Sequence, residues 1–186
     1  VDDVLSEALT YSRTLVAQLC PPVLQEFGLA AALQWLGEQM GQRKLHVSVH
    51  VEHIPVPEEQ AVLLFQSVRE LLMNVVKHAG TAHANVEMKR DKQALRIEVR
   101  DSGSGFDPAV VQLYASAQPP KFGLFSIRER MKAFGGMLEV ETALGQGTSA
   151  VLLLPLEDTK NETSELRVYD QPVPVGAVKP GAWEKP

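Results

Sequence analysis

Three polar residues recur at every fourth position of the stretch ELLMNVVKHAG, residues 70–80. They are Glu70, Asn74 and His78, and Lys77 precedes the last of them. At α-helical spacing these side chains share one face. Carboxylate and amide oxygens suit a hard cation such as magnesium, and a lysine or histidine one turn further along could meet phosphate oxygens. A solvated stripe on an amphipathic helix would show the same spacing.

A glycine-containing motif, DSGSGF, follows directly after a strand pattern at residues 101–106. It begins with Asp101, and its glycines, Gly103 and Gly105, permit close backbone approach that a side chain forbids. The motif ends at Phe106. Such a stretch makes room for a flat or phosphorylated ligand, although a turn that only ends a hairpin can use the same residues.

Two further glycine motifs lie later in the chain. Gly123 and Leu124 begin a predicted helix, and the unpaired N–H groups of a helix start can bind phosphate. A plain loop–helix junction, with Arg128, Glu129 and Arg130 on the surface, explains that pattern equally well. The last motif, GQGTS at residues 145–149, contains Thr148 and by itself indicates only a hairpin turn.

Apolar periodicities show which elements must position these residues. Spacing near 3.6 predicts helices at Asp2–Leu19, Leu29–Met40, Glu58–Ala79 and Leu124–Phe134, and a short helix from Pro108. Alternation with period two predicts strands at 45–51, around 86–88 and at 95–99, then a hairpin of MLEVET with TSAVLLLPL. The acidic, proline-rich stretch 157–186 has no apolar periodicity, and we expect it to be disordered.

Composition limits the function classes. The chain has 186 residues, of which 45% are hydrophobic and 22% charged, as expected for one soluble domain with extensions. Its net charge of −5 provides no basic field for nucleic acid. Cys20 is the only cysteine, which excludes an internal disulfide and fits a reducing compartment. We expect a cytoplasmic fragment whose parent protein could be membrane-anchored, because no apolar run or signal pattern is present.

The order of these motifs resembles the ATP-binding fold shared by gyrase, MutL and sensor histidine kinases, the GHKL superfamily, over roughly 55–156. The resemblance implies an α/β two-layer sandwich, the Bergerat fold, with a mixed, mostly antiparallel sheet and helices on one face. Two segments, LCPPVLQEFGLAAAL (19–33) and GLFSIRER (123–130), resemble the histidine kinases of the nitrate-sensor and desaturase-thermosensor subfamily. Residues 1–41 would then be the end of a dimerization helix and a neck, and 42–156 the ATP-binding catalytic domain.

The resemblance also implies a role for each motif residue. Asn74 would bind the Mg²⁺ that bridges the phosphates of ATP, and Glu70 would be the catalytic or water-orienting acid. Asp101 would accept a hydrogen bond from the adenine amine, which disfavours guanine because guanine places a carbonyl there. The remaining contacts to ATP would come from Lys77, His78, Gly103, Gly105, Phe106, Gly123, Leu124 and Thr148. The stretch between Phe106 and Gly123 would be the ATP lid, with Lys121 where many relatives have glycine.

The implied function is that of the catalytic domain of a two-component sensor histidine kinase. The target histidine would lie outside this chain, on the dimerization and phosphoacceptor domain of the same kinase, which forms a homodimer. A response regulator receiver domain would be the next partner, and no nucleic acid is expected. A regulatory module of the same fold that binds ATP without transfer, or an anti-sigma-factor serine kinase, are the alternatives.

Overall fold

The computed structural model describes residues 21–107 and 123–156. It contains the helices α1 (Pro22–Met40), α2 (Glu58–Asn74) and α3 (Gly123–Ala133), and the strands β1 (His46–Val51), β2 (His83–Asp91), β3 (Ala94–Asp101), β4 (Met137–Thr142) and β5 (Thr148–Pro155). A 3-10 turn, Gly41–Arg43, follows α1, and a π turn, Val75–Ala79, follows α2. The helices predicted at residues 2–19 and from Pro108, most of the predicted lid, and the tail lie outside the described residues.

The five strands form one sheet in the order β1-β2-β3-β5-β4. β1 pairs parallel with β2, and every other neighbouring pair is antiparallel. Alternate residues point to opposite faces, and the inner face carries the buried apolar side chains. α1 packs on β1 and α2, while α3 packs on β4 and α2. The predicted two-layer sandwich with a mixed, mostly antiparallel sheet is therefore confirmed.

The core lies between this inner face and the helices. β3 and β5 place fully buried leucine and isoleucine side chains opposite the apolar face of α2. Burial of one such side chain stabilises the fold by about 1.5–3 kcal/mol. The largest fully buried residues of the strands and of α2 are Phe65, Leu64, Leu72, Met88, Leu95, Ile97, Leu152 and Leu154.

Helix α1 contains the predicted helix Leu29–Met40 and, before Gly28, a further helical segment that the sequence pattern did not predict. The predicted start was Leu29, but helical structure begins at Pro22, where the missing proline N–H would have no helical partner in any case. Gly28, with φ 76°, kinks the helix. Because the chain turns at Gly28, Leu24 on one side and Leu29 on the other are both buried in the same core. The prediction missed the first segment because the kink interrupts the regular 3.6-residue period.

Helix α2 is not regular along its whole predicted length. The predicted helix ran from Glu58 to Ala79, but α-helical geometry ends at Asn74 and the last five residues form the π turn. Gly80 then ends the helix in the left-handed conformation, φ 66°. Since a π turn holds more residues than an α turn, side chains after Asn74 point in directions that regular spacing does not predict.

No helix among the residues that the structure describes is long and apolar enough to cross a bilayer.

Candidate functional site

A cavity of about 360 Å³ lies between the inner face of the sheet, the C-terminal end of α2 with its π turn, and α3. Its walls are mostly apolar, with a few polar groups at defined places, as expected for a site that takes a small organic ligand. The lining residues are Leu71, Asn74, Val75, His78, Ala79, Val99, Asp101, Gly105, Phe106, Gly123, Leu124, Phe125, Arg128, Val140, Thr148 and Ala150.

The fold brings most of the predicted site residues together in this cavity. Asn74, His78, Asp101, Gly105, Phe106, Gly123, Leu124 and Thr148 all line it. Three predicted residues do not line it, namely Glu70, Lys77 and Gly103. These residues come from α2, the π turn, β3 and the loop after it, α3 and β5, so the cavity exists only in the folded chain.

Asp101 is the buried carboxylate of the cavity. It stands at the end of β3 opposite Thr148 of β5 and is only 7% exposed. Its Oδ1 atom accepts a hydrogen bond from the Gly103 N–H at 2.8 Å, which fixes the orientation of the carboxylate. No described residue donates to its second oxygen. Asp101 therefore offers a pre-oriented acceptor to a ligand, and one hydrogen bond to a charged acceptor contributes about 1.5–3 kcal/mol.

The loop after Asp101 is attached to the end of the π turn. The Ser104 N–H donates to the Ala79 carbonyl at 2.7 Å, and the Ser104 hydroxyl donates to the His78 carbonyl at 3.3 Å. A Cβ atom on Gly103 would overlap the Ala79 carbonyl oxygen. Glycine at position 103 is thus required by contact within the protein, where the sequence had suggested contact with a ligand. This attachment holds Asp101 at the Ala79 end of the cavity.

Thr142 is a site residue that the sequence reasoning missed. Its Oγ1 donates to the Gly147 carbonyl at 3.0 Å and accepts from the Phe106 N–H at 3.1 Å. It also lies 3.3 Å from Thr148 Oγ1. Since the single hydroxyl hydrogen of Thr142 is already donated to Gly147, Thr148 is the donor in this pair. The Thr148 lone pairs remain available to a ligand, and Thr142 joins the two glycine loops.

Glu70 contacts the start of α3. The Glu70 side chain packs so closely on Gly123 that a Cβ atom there would overlap the carboxylate. No described residue makes a hydrogen bond or ion pair with this carboxylate. Asn74, one turn further along α2, lines the cavity, while Lys77 is exposed in the π turn and does not. The polar residues predicted to share one face therefore do not share one environment. Asn74 lines the cavity, whereas Glu70 packs on Gly123 and Lys77 is exposed.

Arg128 and a set of apolar wall residues were also missed. Arg128 lies four residues after Leu124 on α3, and both side chains line the cavity. That i, i+4 spacing was the signal available in the sequence, but it matches a surface helix equally well. The missed apolar wall residues are Leu71, Val75, Ala79, Val99, Phe125, Val140 and Ala150.

The cavity fits magnesium only if most of the ligands of the ion come from water and from a bound phosphate. Within residues 21–107 and 123–156, no three His, Cys, Asp or Glu side chains are grouped to hold a metal ion. Asn74 supplies one amide oxygen at the cavity wall. Magnesium commonly takes one or two protein oxygens and completes its shell with water and substrate phosphates.

Comparison with known families identifies the class of this fold and cavity. The model of the histidine kinase-, DNA gyrase B- and HSP90-like ATPases matches residues 59–158, more than half of the 186-residue chain. The chain belongs to this ATPase family and has its GHKL fold. The matched range contains every element that lines the cavity.

Individual relatives are sensor kinases by name. The chain is 32% identical over 161 residues to the sensor histidine kinase YhcY of Bacillus subtilis, covering 86% of this chain and 40% of that protein. It is 28% identical over 151 residues to an uncharacterized sensor-like histidine kinase of Chloroflexus aurantiacus, covering 78% of this chain and 25% of the relative. The chain thus spans well under half the length of these relatives.

A solved structure shares the fold. The histidine kinase domain of the blue-light-activated histidine kinase from Erythrobacter litoralis EL346 superposes with a TM-score of 0.55 at 23% sequence identity. The match covers 68% of this chain and 60% of the other. At this identity the likeness concerns the fold alone.

Proposed function

We propose that this chain is the ATP-binding catalytic domain of a two-component sensor histidine kinase. It delivers the γ-phosphate of ATP to a histidine on the dimerization domain of the same kinase, outside this chain. The phosphoryl group then passes to the receiver domain of a response regulator. The observation that carries the proposal is the apolar cavity of an ATPase-family fold in which no described residue donates to the second carboxylate oxygen of Asp101.

Adenine binding uses the Asp101 end of the cavity. The free oxygen of Asp101 accepts from the exocyclic amine, and the Thr148 hydroxyl oxygen offers a second acceptor nearby. Val99 and Ala150 form the apolar floor under a flat base, and Val140 adds to it. Guanine would direct a carbonyl oxygen at the same carboxylate, so the pocket selects ATP over GTP.

Phosphate binding uses the other polar residues of the cavity. Asn74 holds Mg²⁺, which neutralises charge on the phosphates when it is bound. His78 and the backbone at Gly123 and Leu124 border the same space. Glu70, packed against Gly123, orients water or the start of α3. In phosphoryl transfer, positioning and charge neutralisation supply most of the catalysis, and the residues of this cavity provide positioning.

The organisation of the parent kinase is part of the proposal. The segments at 19–33 and 123–130 support membership of the nitrate-sensor and desaturase-thermosensor subfamily. Residues 42–156 serve as the catalytic domain, and 1–41 as the dimerization end and neck, with α1 also packed into the core. The parent acts as a homodimer with its catalytic domain in the cytoplasm, and 157–186 is a tail.

Calorimetry with ATP tests the proposal directly. We expect magnesium-dependent ATP binding that Asn74→Ala weakens at least tenfold, because a protein oxygen of the metal shell is lost. Asn85→Ala is the matched control, since Asn85 is exposed on β2 away from the cavity. ATP binding that is absent, or equal in both variants, would refute the site.

A phosphotransfer assay separates the kinase from a regulatory module of the same fold. The chain is incubated with γ-labelled ATP, alone or with a separately supplied dimerization domain that carries a target histidine. We expect label on the dimerization domain and no stable label on this chain. Label on this chain alone contradicts the proposal, and tight ATP binding without any transfer favours the regulatory module.

A further inference from the structure

Arg128 is a partly buried cation that lines the cavity. Within the described part of the chain, no hydrogen bond or ion pair engages its guanidinium. Arginine is rarely buried without a partner, because removing the charge from water is costly. Asp101 and Arg128 are the only Asp, Glu, Lys or Arg residues among those that line the cavity.

The packing of α3 on α2 shows from which side Arg128 approaches the cavity. Gly123 lies against Glu70, while the Arg130 guanidinium donates to the Gln66 side chain at 3.2 Å, so α3 runs antiparallel to α2. Arg128 therefore approaches the cavity from the Leu71 side.

Asp101 approaches from the other side. Its loop is attached to Ala79, the last residue of the π turn, whereas Leu71 lies in the last turn of α2. The acidic residue and the basic residue of the cavity thus approach it from different sides.

The direction of the Arg128 side chain brings its charge towards the first turn of α3. Long side chains on a helix tend to lean towards its N-terminus, so the Arg128 side chain is expected to extend towards Leu124 and Gly123. Lys77, the cation expected from the sequence to meet phosphate, is exposed and does not line the cavity.

We propose that Arg128 binds the phosphate groups of the nucleotide, and that it replaces Lys77 in this role. The inference rests on the proposed nucleotide-binding function and adds a residue to it. A guanidinium can bind two phosphate oxygens at once through parallel N–H groups, which an ammonium cannot do. Arg128 then binds the phosphates of ATP, and Asp101 binds its adenine base.

Calorimetric titration of the 186-residue chain with ATP, ADP and adenosine tests this assignment. In Arg128→Gln, the affinity for ATP and ADP should fall about 10- to 100-fold, while that for adenosine stays within about twofold. Arg128→Lys should recover part of the loss. Arg130→Gln is the matched control, because Arg130 lies on the same helix but binds Gln66 instead of lining the cavity. Its ATP affinity should remain that of the wild type.

The outcomes separate this inference from the function on which it rests. Wild-type binding of ATP with unchanged affinity in Arg128→Gln overturns the role of Arg128 alone. An equal loss for ATP and adenosine also overturns it, since the side chain would then support the base or the fold. If Arg128→Gln unfolds, the same measurement is made on Arg128→Lys. A loss of ATP affinity without a loss of adenosine affinity then supports the role of Arg128, and any other result overturns it. A wild-type chain that binds neither ligand refutes the nucleotide site as well.

Discussion

Two carboxylates on β3, Glu98 and Asp101, lie three residues apart on opposite faces of the sheet. Glu98 is on the outer face, where its Oε1 accepts from the Ser149 hydroxyl at 2.7 Å and its Oε2 pairs with Arg96 at 2.8 Å. The Ser149 hydrogen bond, followed by Arg96, lowers the pKa of Glu98 below its ordinary value, although partial burial opposes this. Asp101, on the inner face, keeps one oxygen without a donor from the described residues.

The difference shows what makes a carboxylate suitable for binding. Neighbours on the same sheet already occupy both oxygens of Glu98, so this side chain has little to offer a ligand. Asp101 is more buried, and only the Gly103 N–H engages it. We therefore propose Asp101 as the ligand-binding carboxylate of the two, because a ligand gains a hydrogen bond there without breaking another.

The largest effect is expected from removing the Asp101 charge. Asp101→Asn should weaken ATP binding about 10- to 100-fold, because the amide would direct a donor at the adenine amine where the carboxylate offered an acceptor. The same variant should discriminate less between ATP and GTP. Calorimetric titration with both nucleotides measures the two effects.

The matched control for that charge removal is Glu98→Gln. This variant replaces the outer-face carboxylate by an uncharged amide of nearly the same shape. Its ATP affinity should stay within about twofold of the wild type, since Glu98 does not line the cavity. Equal losses of ATP affinity in Asp101→Asn and Glu98→Gln would show that the inner-face carboxylate has no special role in binding.

A smaller effect is expected from two glycines in the turn that faces Asp101. Gly147 and Gly145 both have positive φ, 75° and 73°, so an alanine at either costs about 1–2 kcal/mol of stability. Only at Gly147 would the new Cβ overlap the Asp101 carbonyl oxygen, whereas nothing lies within 4 Å at Gly145.

Gly147→Ala should therefore lose more unfolding free energy than Gly145→Ala. It should also bind ATP more weakly, because the end of β3 must shift to relieve the overlap. Urea unfolding and ATP titration of both variants check this expectation. Two equally stable variants with equal ATP affinity would show that the contact with Asp101 is unimportant.

The smallest effect concerns the outer-face carboxylate and depends on pH. Because the pKa of Glu98 is lowered in the folded state, ionised Glu98 stabilises the fold above the ordinary glutamate pKa of about 4.3. That contribution is lost as the pH falls through this value towards the lowered pKa. Ser149→Ala should cost at most about 1 kcal/mol at pH 7, and the cost should shrink in acid.

Urea unfolding near pH 7 and below pH 4 measures this difference. Ser48→Ala is the control, because Ser48 is exposed on the outer face of β1 and its hydroxyl makes no hydrogen bond to a described residue. A Ser149→Ala cost that grows in acid would contradict the stated role of Glu98, while ATP affinity should not change in either variant.

Much of the fold could be predicted from the chain because local periodicity reports local structure. Alternation in β3 predicted Leu95, Ile97 and Val99 on one face, and these residues are buried there. The errors lie at Gly28 and at the π turn, Val75–Ala79. At Gly28 the positive φ interrupts the regular helical period, and at the π turn the backbone is attached to the loop after Asp101.

Half of the cavity residues could also be predicted, since they belong to motifs whose order is readable in the sequence. Asp101 and Thr148, far apart in the chain, were both expected at one site, and the register of β3 with β5 pairs them. Thr142 could not be predicted, because its importance arises from hydrogen bonds to Phe106 and Gly147 that exist only when two loops meet.

The sequence by itself determined the elements, their apolar faces and the order of the glycine motifs, because each depends on residues close together in the chain. Only the tertiary structure decided which polar side chains share the cavity. The π turn leaves Lys77 exposed, and the antiparallel packing of α3 on α2 brings Arg128 to the cavity wall. The positions of Lys77 and Arg128 depend on how whole elements pack, and the spacing of residues within one element does not predict that packing.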